Sequence, residues 1–161
     1  MLNAFVNDAY LTFLLGNEKF AVHVNNVQEV VELNEITKVP NTPDYMLGII
    51  NLRGRVLPLL DTRLKLGLPA AQRTSKNRIL ILEITDGDEK MMQVGAIVDV
   101  AREVVEINVQ QIQKTADMDN YKHSTPVTGI VNNQGDITMI IDINKVFIST
   151  DISGMADIIR G

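Results

Sequence analysis

The chain repeats itself, and that constrains its fold more than any other feature. Gly48-Ile-Ile-Asn-Leu-Arg-Gly-Arg-Val-Leu-Pro-Leu-Leu-Asp61 returns 81 residues later as Gly129-Ile-Val-Asn-Asn-Gln-Gly-Asp-Ile-Thr-Met-Ile-Ile-Asp142. Upstream, Glu29-Val-Val-Glu-Leu33 returns 74 residues later as Glu103-Val-Val-Glu-Ile107. Two motifs in the same order at nearly the same offset describe two copies of one half-domain. The copies span about residues 10–67 and 78–148 within a single domain of residues 1–161, with a tail over 149–161. Residues 67–77, which hold Gly67, Pro69 and a run of polar side chains from Gln72, are the natural connector.

Alternation of aliphatic and polar residues predicts about five short strands per copy. In the first copy these are 10–15, 20–24, 29–33, 47–52 and 55–60. In the second they are 79–84, 91–97, 102–107, 127–132 and 136–141. Gly16-Asn-Glu-Lys19, Arg53-Gly54, Asp86-Gly-Asp-Glu89 and Gln134-Gly135 carry turn chemistry. Gly54 would supply a positive φ at its hairpin. Asn25 and Asn26 suit the cap of a short helical turn. Val30 and Val31 point to opposite faces of one strand, which predicts that strand covered on both sides. Pro58 cannot donate to a ladder, so its strand is expected at an edge or bulged there. Asp61 and Asp142 follow their strands as helix N-caps. Ile152, Met155, Ile158 and Ile159 fit one side of a short amphipathic helix in the tail.

The core must be aliphatic, because aromatics make up only 4% of the chain and Trp is absent. Each half alone is too small to bury a stable core. The halves are therefore expected to pack through a third apolar layer at their junction.

Several function classes lose support at this level. A net charge of −5 repels nucleic-acid backbones and anionic lipid surfaces. An oligonucleotide-binding small barrel would want interleaved aromatic and basic residues, which this acidic chain lacks. There is no Cys, and the two His, His23 and His123, have no third partner nearby, so no metal site or nucleophilic triad is indicated. Asp86-Gly-Asp-Glu89 lacks the spacing of a calcium loop. Asp61 and Asp142 occupy identical positions in the copies, which makes them caps rather than an acid–base pair. No Gly-rich phosphate loop, cofactor motif, signal segment or membrane-length apolar run is present. The expectation is a cytoplasmic, non-enzymatic protein.

The pattern resembles the CheW family, the coupling proteins of bacterial chemotaxis arrays, and the related regulatory domain of the histidine kinase CheA. The residues that carry the resemblance are Gly48-Ile-Ile-Asn-Leu-Arg-Gly54 and Val56-Leu-Pro-Leu-Leu-Asp61, preceded by Val27-Gln-Glu-Val30 and Asn41-Thr-Pro43. Val98-Asp99 before Arg102-Glu-Val104, and Thr128-Gly129 before Ile140-Ile-Asp142, match the family's second half. The resemblance implies an all-β fold of two SH3-like five-stranded barrels, packed together and free to exchange strands. It implies an adaptor that joins the cytoplasmic tip of a chemoreceptor to the CheA regulatory domain at the inner face of the membrane, alongside further coupling-protein copies in arrays. A coupling protein serving pili or second-messenger output is the near alternative. By resemblance, the partner-binding residues are Val27, Glu29, Gly48, Asn51, Leu52, Arg53 and Gly54.

The repeat tempers that assignment. Glu29 has a twin in Glu103, Asn51 in Asn132 and Gly54 in Gly135, which favours shared structural roles. Arg53 is replaced by Gln134, so the fold does not require it. An exposed Val27 would suit a groove for a receptor helix.

Overall fold

The computed structural model describes residues 7–85, 90–118 and 125–147. The turn at 86–89, the loop holding His123 and the tail helix expected beyond 148 lie outside the described residues.

Among the described residues eleven strands follow in chain order: β1 (Asn7–Leu15), β2 (Glu18–His23), β3 (Val27–Glu32), β4 (Met46–Leu52), β5 (Arg55–Asp61), β6 (Arg78–Thr85), β7 (Met91–Val98), β8 (Val100–Asn108), β9 (Gln113–Lys114), β10 (Val127–Asn133) and β11 (Asp136–Ile141). Two single-turn helices close the pattern, α1 (Thr62–Lys65) after β5 and α2 (Ile143–Val146) after β11. The ten expected strands are present, with ends shifted by at most three residues. β9 is an addition: two residues that pair with Gly129 and Ile130.

The strands form two sheets whose composition mixes the sequence copies. One runs β8-β1-β2-β11-β10-β9 and the other β3-β6-β7-β5-β4. Each sheet takes its central hairpin from one copy and its flanking strands from the other. Each sheet has one parallel seam between the copies, β2–β11 or β5–β7, and one antiparallel seam, β1–β8 or β3–β6. Neither ladder closes: one is open between β8 and β9, the other between β3 and β4. The units are SH3-like in strand content but are open sheets rather than closed barrels.

Three apolar clusters follow from strand alternation. Ile50, Leu52, Leu57, Leu59, Ile79, Ile81 and Ile97 fill the β3–β7 sheet. A smaller group, Tyr10, Ala21, Ile107 and Ile140, sits inside the other sheet. The largest lies between the sheets. It takes Phe13, Phe20 and Val22 from the β1–β2 hairpin and Leu80, Leu82, Val94 and Val98 from the β6–β7 hairpin. The central hairpins are thus buried on both faces, which is why β6 carries the continuous aliphatic run Ile79–Leu82. This is the expected third layer.

The chain passes between sheets at Val24–Asn26 and at Asp99. Val24–Asn26 form a 3-10 turn capped by His23, whose Nδ1 accepts from the Asn25 amide at 3.1 Å. Asn25 and Asn26 therefore sit within the turn rather than capping it. Imidazole offers an acceptor at the right reach, a role sequence rules give to shorter side chains. Asp99 is pinned more firmly. Its carboxylate accepts from Arg63 Nε at 3.0 and 3.1 Å, from Arg63 Nη2 at 2.5 Å, and from the Gly16 amide at 2.6 Å. Asn77 donates to its carbonyl at 3.1 Å. Hydrogen bonding from Arg63, opposed by desolvation and aided by Gly16, holds the Asp99 carboxyl below the usual carboxylate range.

Asp61 and Asp142 are N-caps. Asp61 Oδ1 accepts from the Leu64 amide at 3.2 Å, and Asp142 Oδ1 from the Asn144 amide at 2.9 Å. β5 is interior, but Pro58 pairs with Ile49 just before the β7 ladder begins at Leu59, so its missing donor leaves no gap in that ladder. β3 is covered on one face only. Val31 packs on the sheet's core, while Val30, on the other face of this edge strand, is 40% exposed.

Candidate partner-binding surface

The β4–β5 hairpin turns over Arg53 and Gly54, both at positive φ, +50° and +89°. Leu52 and Arg55 are its last pair, so the loop has two residues and the left-handed geometry that matches sheet twist. Asn51 Oδ1 ties it by accepting from the Gly54 amide at 2.8 Å. The β10–β11 hairpin repeats every detail: Gln134 at +53°, Gly135 at +91°, and Asn132 Oδ1 accepting from the Gly135 amide at 2.9 Å. The positive φ of Arg53 is therefore hairpin geometry. Asn51 and Gly54 hold the turn; what the turn presents is Arg53.

Arg53 leans across to β3. Its Nη2 donates to Glu29 Oε2 at 2.5 Å. β3 and β4 are the free edges of their sheet, so this ion pair spans the opening that the ladder leaves. The hydrogen bond from Arg53 holds the Glu29 carboxyl below its usual range, with desolvation opposing and Arg55 adding a weaker pull. The Arg53 guanidinium is raised in turn, through its hydrogen bond to Glu29. Both groups remain wet, and the Arg53 side chain is 66% exposed. Exposed pairs of this kind orient side chains more than they stabilise folds.

The other sequence-derived residues take different places. Leu52 is buried beneath the hairpin in the sheet's core. Val27 is half-buried and packs on the inter-sheet cluster, so it does not stand free in a groove. Gly48 has a steric role. At φ +148°, a Cβ would lie 2.2 Å from the Thr37 carbonyl oxygen. Thr37 and Ile49 exchange hydrogen bonds of 3.0 and 2.8 Å there, strapping the loop before β4 onto that strand. A polar concavity of about 560 Å³, lined by Asn34, Glu35, Thr37 and Asn51, adjoins the strap.

Sequence reasoning did not single out two exposed aliphatic residues on these strands. Val30, beside Glu29, and Val56, opposite Asn51, are 40% and 43% exposed. Their twins Val104 and Ile137 are also exposed. The signal was present, since both pairs recur at the repeat offsets, but Val reads as core wherever a strand is assumed to be covered. Among the described residues, no group of three or more His, Asp or Glu is placed to hold a metal ion. No helix among them is long and apolar enough to cross a membrane.

Comparison with known proteins agrees with this architecture. Residues 9–151 match the model of the CheW-like domain. The chain is 29% identical to the chemotaxis protein CheW of Rhizobium meliloti over 141 residues, 88% of each chain. It is 30% identical to that of Bacillus subtilis over 136 residues, 84% of each. The crystal structure of the scaffolding protein TtCheW from Thermoanaerobacter tengcongensis superposes with a TM-score of 0.76 at 30% identity, covering 88% of this chain and 93% of that one. With two SH3-like units, the Asn-Leu-Arg-Gly hairpin and this match over most of its length, the chain belongs to the CheW-like domain family.

Proposed function

We propose that this chain joins a chemoreceptor's cytoplasmic tip to the regulatory domain of CheA, and that the surface around Arg53 is one of its two docking faces. The reading rests on family membership and on one structural observation: an exposed arginine held at a rigid hairpin tip by a carboxylate on the facing edge strand, with Val30 exposed on that edge strand and Val56 exposed on the hairpin's second strand. Apolar contact area with a few oriented polar groups is what a helix-binding face requires. Arg53 is pre-organised. Guanidinium carries five donors, and the bond to Glu29 engages one nitrogen, leaving others for a partner carbonyl or carboxylate. Below it the packed core resists deformation, so a shift in a bound receptor helix is passed on rather than absorbed. The coupling is geometric and involves no bond making or breaking.

The test is a pair of substitutions, Arg53→Ala and Glu29→Gln. Both leave the melting midpoint nearly unchanged. Both weaken binding to a receptor cytoplasmic fragment or to the CheA regulatory domain, by roughly tenfold as expected for one oriented charge-assisted contact. Unchanged affinity for both partners would remove this surface from the proposal.

A further inference from the structure

The two sheets share a plan, yet the second carries an open polar cavity where the first is filled. In the β3–β7 sheet, the space under Arg53 is occupied by Leu52, Leu57 and Ile81, all buried. At the offset of 81, Leu52 becomes Asn133 and Leu57 becomes Thr138. Ile81 sits opposite Gly95 and Thr12 opposite Ala21, and Gly95 and Ala21 lie against the twin residues Leu59 and Ile140. Ile81 therefore corresponds to Thr12. Three aliphatic side chains have become two threonines and an asparagine, and all three line a cavity of about 490 Å³ in the second sheet. The filled interior is so tight that a methyl on Gly95 would lie 3.0 Å from Ile79 Cγ2 and 3.2 Å from Leu59 Cδ1. Its twin Ala21 carries that methyl. The fold does not call for a polar hollow here, since the other copy builds the same sheet without one.

The cap differs as well. Glu103 keeps the carboxylate of its twin Glu29, but Gln134 stands where Arg53 would reach it. Glu103 lines the cavity, and its ion-pair contact is a loose 4.0 Å approach from Arg102, its neighbour on β8. The lining also holds Glu106, Asp136 and Lys19, and Lys19 is engaged by Asp136 at 2.8 Å. With Lys19 engaged by Asp136, the lining offers Glu103 no cation of its own. Val105 and Val131 supply apolar wall for the stem of a long side chain.

We propose that this cavity receives an arginine side chain presented by a partner protein, with Glu103 as the acceptor. The other copy shows the geometry: an arginine over that same carboxylate, supplied by the chain itself. Here the arginine comes from outside. The site lies in the other sheet from Arg53, and the proposal does not depend on the receptor–kinase reading.

The experiment is a titration of the isotope-labelled full chain with N-acetyl-arginine amide, followed by amide chemical shifts. Saturable shifts on β8 and at the β10–β11 hairpin are expected, with a dissociation constant of about 1–10 mM for a single side chain. N-acetyl-lysine amide binds more weakly, lacking the planar fork. Glu103→Gln weakens the arginine probe by about tenfold. Gln134→Arg does the same by capping Glu103 from within, and its remaining shifts report an intact fold. Shifts that do not saturate, that fall elsewhere, or that match the wild type in either variant would overturn the proposal. An equal response to the lysine probe would overturn the guanidinium assignment.

Discussion

Gly48→Ala separates a structural glycine from a binding one, and its cost can be worked from the structure. The new Cβ would stand 2.2 Å from Thr37 O and 2.9 Å from the Thr37 carbonyl carbon. Ordinary contact needs more than 3.4 Å, so the strap must move by about an ångström. That displacement breaks both hydrogen bonds between Thr37 and Ile49, each worth about 1 kcal/mol net. Holding a non-glycine residue at φ +148° adds about 1–3 kcal/mol. The sum is about 3–5 kcal/mol, a large part of a typical domain stability of about 5–15 kcal/mol. At about 2–4 °C per kcal/mol for a domain of this size, the midpoint should drop by about 10 °C. Gly129→Ala is the internal control. Its Cβ meets Ile112 Cγ2 at 2.4 Å, a side-chain methyl that can rotate away, and the nearest backbone atom is an ordinary 3.5 Å off. Overpacking of that kind costs about 1–3 kcal/mol, and the lower half is expected where the obstacle is mobile. Urea unfolding of the two variants and the wild type measures all three. The reasoning is refuted if Gly48→Ala unfolds at the wild-type midpoint, or if Gly129→Ala is the more damaging change.

Two further predictions concern the carboxylates. The folded state lowers the Asp99 pKa, so its stabilisation is complete above the unfolded value of about 4 and is lost as pH falls through the lower folded value. Asp99→Asn should therefore cost about 2–3 kcal/mol at pH 7, from lost charge-assisted bonds to Arg63 and Gly16, and flatten the decline of stability in acid. Asp61→Ala and Asp142→Ala should each cost about 0.5–2 kcal/mol in urea titrations as lost caps, and leave partner affinity unchanged. Weaker partner binding at unchanged stability would show that these carboxylates do more than cap.

The strands were legible in the sequence because their aliphatic spacing is local. The hairpin at Arg53-Gly54, the asparagine that ties it and both aspartate caps were legible for the same reason, with the repeat as a check. The strand exchange was not. Whether β1–β2 pairs with β3 or with β8 depends on contacts about a hundred residues apart, and both candidates carry the same Glu-Val-Val-Glu pattern. The positive φ of Arg53 was hidden because arginine gives no hint of it. Gly48 and Leu52 entered the candidate site through motif membership alone. Their constraints, a neighbouring carbonyl and a packed core, are visible only once the loop and sheet are in place. The hollow in the second sheet was written in the copy differences Leu52/Asn133 and Leu57/Thr138. It takes the pairing to show that those positions share one interior.

The claim that this chain is a two-sided adaptor is tested most directly by co-sedimentation of a receptor cytoplasmic fragment with the CheA regulatory domain, with and without this protein. The account predicts that the regulatory domain sediments with the receptor only when this chain is present, and that Arg53→Ala reduces the amount recovered. Binding of neither partner at tens of micromolar protein, a range in which a functional adaptor face should be well occupied, would contradict it.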